Sequence, residues 1–72
     1  MISEKNALEE FKKNCPQYSV KHLYDSKGYY LFEINEKRTG GCFAVKKEGG
    51  FVELSPMIPA EKEIIDSAKK LW

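Results

Sequence analysis

GYYLFEINEKRTGGCFAVKKEGGFVELSPMIP, residues 28–59, holds three apolar runs separated by glycine pairs. Tyr29–Asn35, Cys42–Lys47 and Phe51–Leu54 are short, rich in aromatic and aliphatic residues and free of proline, the composition of strands. Gly40-Gly41 and Gly49-Gly50 stand between strands, so they read as turn punctuation. A phosphate or dinucleotide loop needs its glycines at set offsets between a strand and a helix. Pro56 ends the last run because it has no N–H to give to a ladder. Ser55 to Pro59 then reads as a rigid extended segment. Its apolar side chains, Met57 and Ile58, are expected to clamp the following helix onto the sheet.

Working outward, Tyr18–Asp25 alternates in polarity. Strict parity places Tyr18, Val20, His22 and Tyr24 on one face and Leu23 on the other. Asp25-Ser26-Lys27-Gly28 is a turn, so this run and Tyr29–Asn35 form a hairpin. Upstream, Ser3 is a helix cap. Ala7, Leu8, Phe11 and Cys15 follow at helical spacing, and Pro16 closes that helix. Downstream, Pro59 suits a first helical turn. Ala60, Ile64, Ile65, Ala68, Leu71 and Trp72 make a second apolar stripe, with Lys69 and Lys70 expected in the last turn.

The resulting expectation is a single α+β domain over residues 1–72 in the order α-β-β-β-(β)-α. Its antiparallel sheet has three or four strands, with residues 51–54 as a short edge. Both amphipathic helices are expected on one sheet face, over Val20, Tyr30, Phe32, Ile34, Phe43 and Val45.

Composition narrows the function classes. Seventy-two residues make one small core and leave no room for a cleft walled by a second domain. Twelve basic and eleven acidic residues give a net charge of +1, far from the excess of a dedicated nucleic-acid binder. Two cysteines are too few for a disulfide-stapled secreted domain. The first residues open no apolar leader and no segment is long enough to span a membrane, so the cytosol is the expected compartment.

No constellation specifies catalysis. Parity separates the lone histidine, His22, from Cys42, which argues against a thiol–imidazole couple. A cross-strand carboxylate pair such as Glu33 with Glu53 is conceivable, but no spacing specifies it. One histidine offers no metal-ligand set, and no cofactor motif is present. The chain is therefore read as a non-enzymatic protein without catalytic residues, metal or cofactor.

The remaining signal is an outer sheet face. Leu23, Tyr29 and Leu31 are expected there, helped by Met57, as a surface for another protein or a second copy. The competing class is nucleic-acid binding through Lys37, Arg38, Lys46 and Lys47.

Resemblance adds a direction. A Lys- and Glu-rich first helix with Ala7-Leu8 and Phe11-Lys12-Lys13 precedes Pro16 and Tyr29-Tyr30-Leu31-Phe32. Phe43-Ala44-Val45 with its glycine turn, Phe51 and Ser55-Pro56-Met57 follow. In these the chain resembles small phage and prophage proteins of Gram-positive bacteria, of the head and packaging gene cluster type. That resemblance implies an accessory or interaction protein. Arg38-Thr39-Gly40 between strands is similar to bacterial immunity proteins and PepSY-like modules, which implies an inhibitor role. The α-β-β-β-α order resembles the double-stranded-RNA-binding domain. That family grips phosphate with lysines at the start of its last helix, where this chain has Pro59-Ala60-Glu61-Lys62-Glu63.

Overall fold

The computed structural model describes Met1–Trp72 and shows the expected α+β class. In chain order the elements are α1 (Glu4–Asn14), β1 (Val20–Ser26), β2 (Tyr29–Ile34), β3 (Cys42–Lys46), β4 (Phe51–Leu54), α2 (Pro59–Asp66) and β5 (Lys69–Lys70). The strands form one antiparallel sheet in the order β4-β3-β2-β1-β5. Phe51–Leu54 is thus part of the main sheet, and a fifth strand joins at the opposite edge. No helix is long and apolar enough to cross a membrane.

Local chemistry accounts for the elements. Ser3 Oγ accepts the Asn6 N–H at 3.2 Å and caps α1. Lys27 and Gly28 both have positive φ, +42° and +84°, which is what a two-residue hairpin loop matched to strand twist requires. Gly49 and Gly50 at +108° and +115° turn β3 into β4.

The helices sit on opposite faces of the sheet, which corrects the expectation that both share one. Phe11 and Ala7 of α1 pack with Cys15, Leu23, Phe32, Phe43 and Val45. Phe11 is central, stacked on Phe32 at 4.7 Å between ring centroids and edge-on to Phe43 at 5.9 Å. Ile64, Ile65 and Ala68, from α2 and just beyond it, pack instead with Leu31, Ala44 and Leu54. Neighbouring residues of β2 and β3 point to opposite sides, and both sides of these central strands are apolar. One helix can cover only one side, so the second side needs the second helix.

The parity of β1 also differs from the strict alternation. A register shift between Val20 and His22 places Val20 opposite Ile34, and Leu23 opposite Phe32. The extra residue turns Leu23 into the α1 core and sends His22 and Tyr24 to the α2 side.

The second helix stops at Asp66 rather than running to Trp72. Lys69 and Lys70 leave it to pair with Asp25 and Tyr24. Leu71 N–H donates to the Leu23 carbonyl at 2.7 Å, and Leu23 N–H donates to Trp72 O at 3.0 Å. These bonds satisfy an edge of β1 that a continuous helix would leave open.

Candidate protein-contact surface

β4 lies at one end of the sheet and pairs only with β3. Lys46 N–H donates to Gly50 O at 2.9 Å, which makes Lys46 and Gly50 a bonded pair. Bonded and non-bonded pairs alternate along an antiparallel ladder. Ala44–Val52 and Cys42–Leu54 are therefore bonded, while Phe51 and Glu53 direct their N–H and C=O groups off the edge. No turn, loop or side chain takes up those groups. The edge is thus an unoccupied template for another strand.

The β2–β3 connection bonds to it through Glu53. Arg38 Nη2 pairs with Glu53 Oε2 at 3.0 Å while its Nη1 donates to the Gly41 carbonyl at 2.8 Å. The same guanidinium lies 4.3 Å from the Phe43 ring centroid. Glu53 Oε2 also accepts the Gly41 N–H at 3.2 Å. A Cβ on Gly41 would fall 2.4 Å from the Leu54 carbonyl oxygen, so only glycine lets the β2–β3 connection lie this close to β4. Hydrogen bonding to Glu53 comes first among the causes that raise the Arg38 pKa.

The chain leaves β4 through a tight turn. Ser55 N–H donates to Glu61 Oε1 at 2.7 Å, and Ser55 Oγ accepts the Met57 N–H at 3.1 Å. Ile58 N–H donates to the Ser55 carbonyl at 3.2 Å. These bonds, rather than the two apolar side chains, join β4 to α2. Met57 is 87% exposed and Ile58 47%, which corrects the expectation that they clamp the helix. Two apolar side chains therefore stand in solvent in the turn that follows β4.

The other expected site residues are scattered. Leu23 is fully buried against α1 and Leu31 is buried under α2, on opposite sides of the sheet. Tyr29 is half-buried beside Leu31. The outer apolar face that these three were expected to share with Met57 is therefore not formed: Leu23 faces α1, α2 covers the side of Leu31 and Tyr29, and only Met57 stays open. Lys37 and Arg38 lie in the β2–β3 connection, whereas Lys46 and Lys47 lie at the far end of β3. Arg38 is engaged by Glu53, and Lys47 pairs with Asp25 while facing the Tyr30 ring at 5.3 Å. The four cations therefore form no common phosphate-binding surface.

His22 and Cys42 share the α2 face, contrary to strict parity, because of the β1 register shift. They make no couple. His22 Nδ1 lies 3.1 Å from Trp72 O, and the Cys42 thiol donates to the Phe43 carbonyl at 3.6 Å. Burial raises the Cys42 pKa, which keeps the thiol protonated. Glu33 is on that α2 face and Glu53, opposite Phe43, on the α1 face, so they are no carboxylate pair. No group of three or more His, Cys, Asp or Glu side chains converges as a metal site.

The open edge escaped the sequence reading because strand order is a tertiary property. The available signal was Phe51–Leu54 itself, four residues closed by a proline-bounded apolar turn. Comparison with protein-family models, with curated proteins and with solved structures finds no match to this chain.

Proposed function

We propose that this chain is a small non-enzymatic accessory protein that acts by binding another protein, with the β4 edge and the Met57–Ile58 turn as its contact surface. The observation that carries this reading is the open β4 edge, with free backbone groups on Phe51 and Glu53, followed by a turn that leaves Met57 87% exposed. The occupant is an extended segment of a partner. Its backbone adds to β4 as a sixth strand, and an apolar side chain covers Met57. The resemblance to phage and prophage accessory proteins supports the same class of role in a bacterial host.

Co-purification from the host, followed by amide exchange on the complex, tests the proposal. The Phe51 and Glu53 amides should gain protection, and a Met57→Glu/Ile58→Lys variant should lose the partner while keeping its thermal stability. A partner that the variant retains, or edge amides that stay unprotected in the complex, would overturn the reading. Sedimentation of the protein alone should give a monomer. A dimer lost in the same variant would instead assign the edge to a second copy.

A further inference from the structure

The α2 face carries a second feature, separate from the β4 edge. α2 has only eight residues and leaves part of that face uncovered. The gap is a shallow depression of about 290 Å³, broadly open to solvent. Leu31, Ile65, Ala68 and the Tyr24 ring wall it, and Cys42, Glu33 and the β2 backbone at Phe32, whose ring is on the α1 side, complete the lining. Its size is at the small end of ligand sites, ~300 Å³ and above.

The charge of this depression is specific. Glu33 is the only residue of a charged type in the lining, and burial pushes the Cys42 thiol pKa up. The Tyr24 hydroxyl donates to Glu33 Oε1 at 2.8 Å, and that hydrogen bond is the first cause of the raised Tyr24 pKa. Tyr24 is thus a neutral donor that fixes the carboxylate at the rim. Glu33 takes part in no ion pair. Four nearby basic groups make no ion pair with it. Lys37 and Arg38 share an adjoining groove with Glu33, Arg38 being paired with Glu53. His22, directly across the ladder, lies against Trp72 O, and Lys70, opposite Tyr24, reaches no carboxylate.

An open apolar depression with one unpaired carboxylate at its rim complements an apolar body carrying a cation. We infer that the depression between α2 and the sheet binds a small hydrophobic primary amine. Its apolar part lies over Leu31, Ile65 and Ala68, and its ammonium pairs with Glu33. Tyr24 acts as a positioning residue that holds the carboxylate toward the ligand.

Titration with 2-phenylethylamine and with its neutral counterpart 2-phenylethanol, followed by methyl and amide NMR, tests the inference. The amine should shift Leu31, Ile65 and Ala68 and slow thiol labelling of Cys42, with buried Cys15 as the internal control. It should bind about two- to fivefold more tightly than the alcohol, in line with one exposed ion pair. Glu33→Gln should erase that preference while the fold persists, because Glu33 is exposed and not part of the core. Ala68→Leu should fill the depression and abolish binding of both. Equal binding of amine and alcohol by the wild type, a preference that survives Glu33→Gln, or binding that survives Ala68→Leu would each overturn the assignment.

Discussion

Leu31 and Phe32 are consecutive residues, exposed by only 2% and 3%, and they belong to two different hydrophobic cores. Phe32 stacks beneath Phe11 of α1, and Leu31 packs with Ala44 and Leu54 under α2. The sheet is a single layer between them, and the period-2 alternation of β2 divides its side chains between the two sides.

The two cores should each be indispensable. Phe11→Ala is expected to cost about 3–5 kcal/mol and Leu31→Ala about 2–5 kcal/mol. Either figure is comparable with the whole net stability of a domain this small. Urea unfolding followed by circular dichroism checks both. A loss under ~1 kcal/mol for Leu31→Ala would mean that α2 does not seal a core. Leu31→Lys should unfold the chain outright, since it places an unpaired charge in that core.

Gly41→Ala should destabilise by about 1–3 kcal/mol, because the added Cβ overlaps the Leu54 carbonyl oxygen and the Glu53 side chain. The strain falls on the last residues of β4. Hydrogen exchange should therefore quicken first at the Cys42 and Leu54 amides, which share a bonded pair. A thermal midpoint equal to that of the wild type would contradict the close approach.

Lys27 occupies a left-handed position, φ +42°, where asparagine is better suited. Lys27→Asn should stabilise the β1–β2 hairpin by ~0.5 kcal/mol, after the small loss of the exposed Lys27–Glu63 pair. Gly28→Ala, at φ +84°, should do the opposite and by more. Thermal melts of the two variants should bracket the wild type.

Glu36 makes part of the stability pH-dependent. Ser19 N–H donates to its carboxylate at 3.0 Å and the Ser19 hydroxyl at 3.1 Å, and the backbone bond is the leading cause of a lowered pKa. A carboxylate with a depressed folded pKa adds stability that is fully present above the ordinary glutamate range. That contribution fades as pH falls through the folded value. Glu36→Gln should therefore be less stable than the wild type at about pH 7, and the gap should narrow by about pH 3. Paired urea titrations at the two pH values measure it. A gap that is constant with pH would assign the loss to packing rather than to charge.

Residues close in sequence decided much of this protein. Ser3, Pro16 and the Ala7–Leu8–Phe11 spacing determined α1, and Gly28, Gly40-Gly41 and Gly49-Gly50 determined where strands turn. Three further features depended on contacts distant in sequence. The register shift in β1 depends on how Val20 and His22 meet Ile34 and Glu33, and it reversed the parity that had placed Leu23 outside. Lys69 and Lys70 suit a helix end by charge, yet the unsatisfied edge of β1 draws them into a strand. Both faces of Tyr29-Tyr30-Leu31-Phe32 read as apolar in the sequence, but which helix covers which face is set by connectivity in three dimensions. The candidate contact surface was legible only as Met57. Its other half, the open backbone of Phe51 and Glu53, exists because β4 ends up at an edge. Edge position is a property of strand order, and strand order is settled by burial of both sheet faces at once rather than by any local pattern.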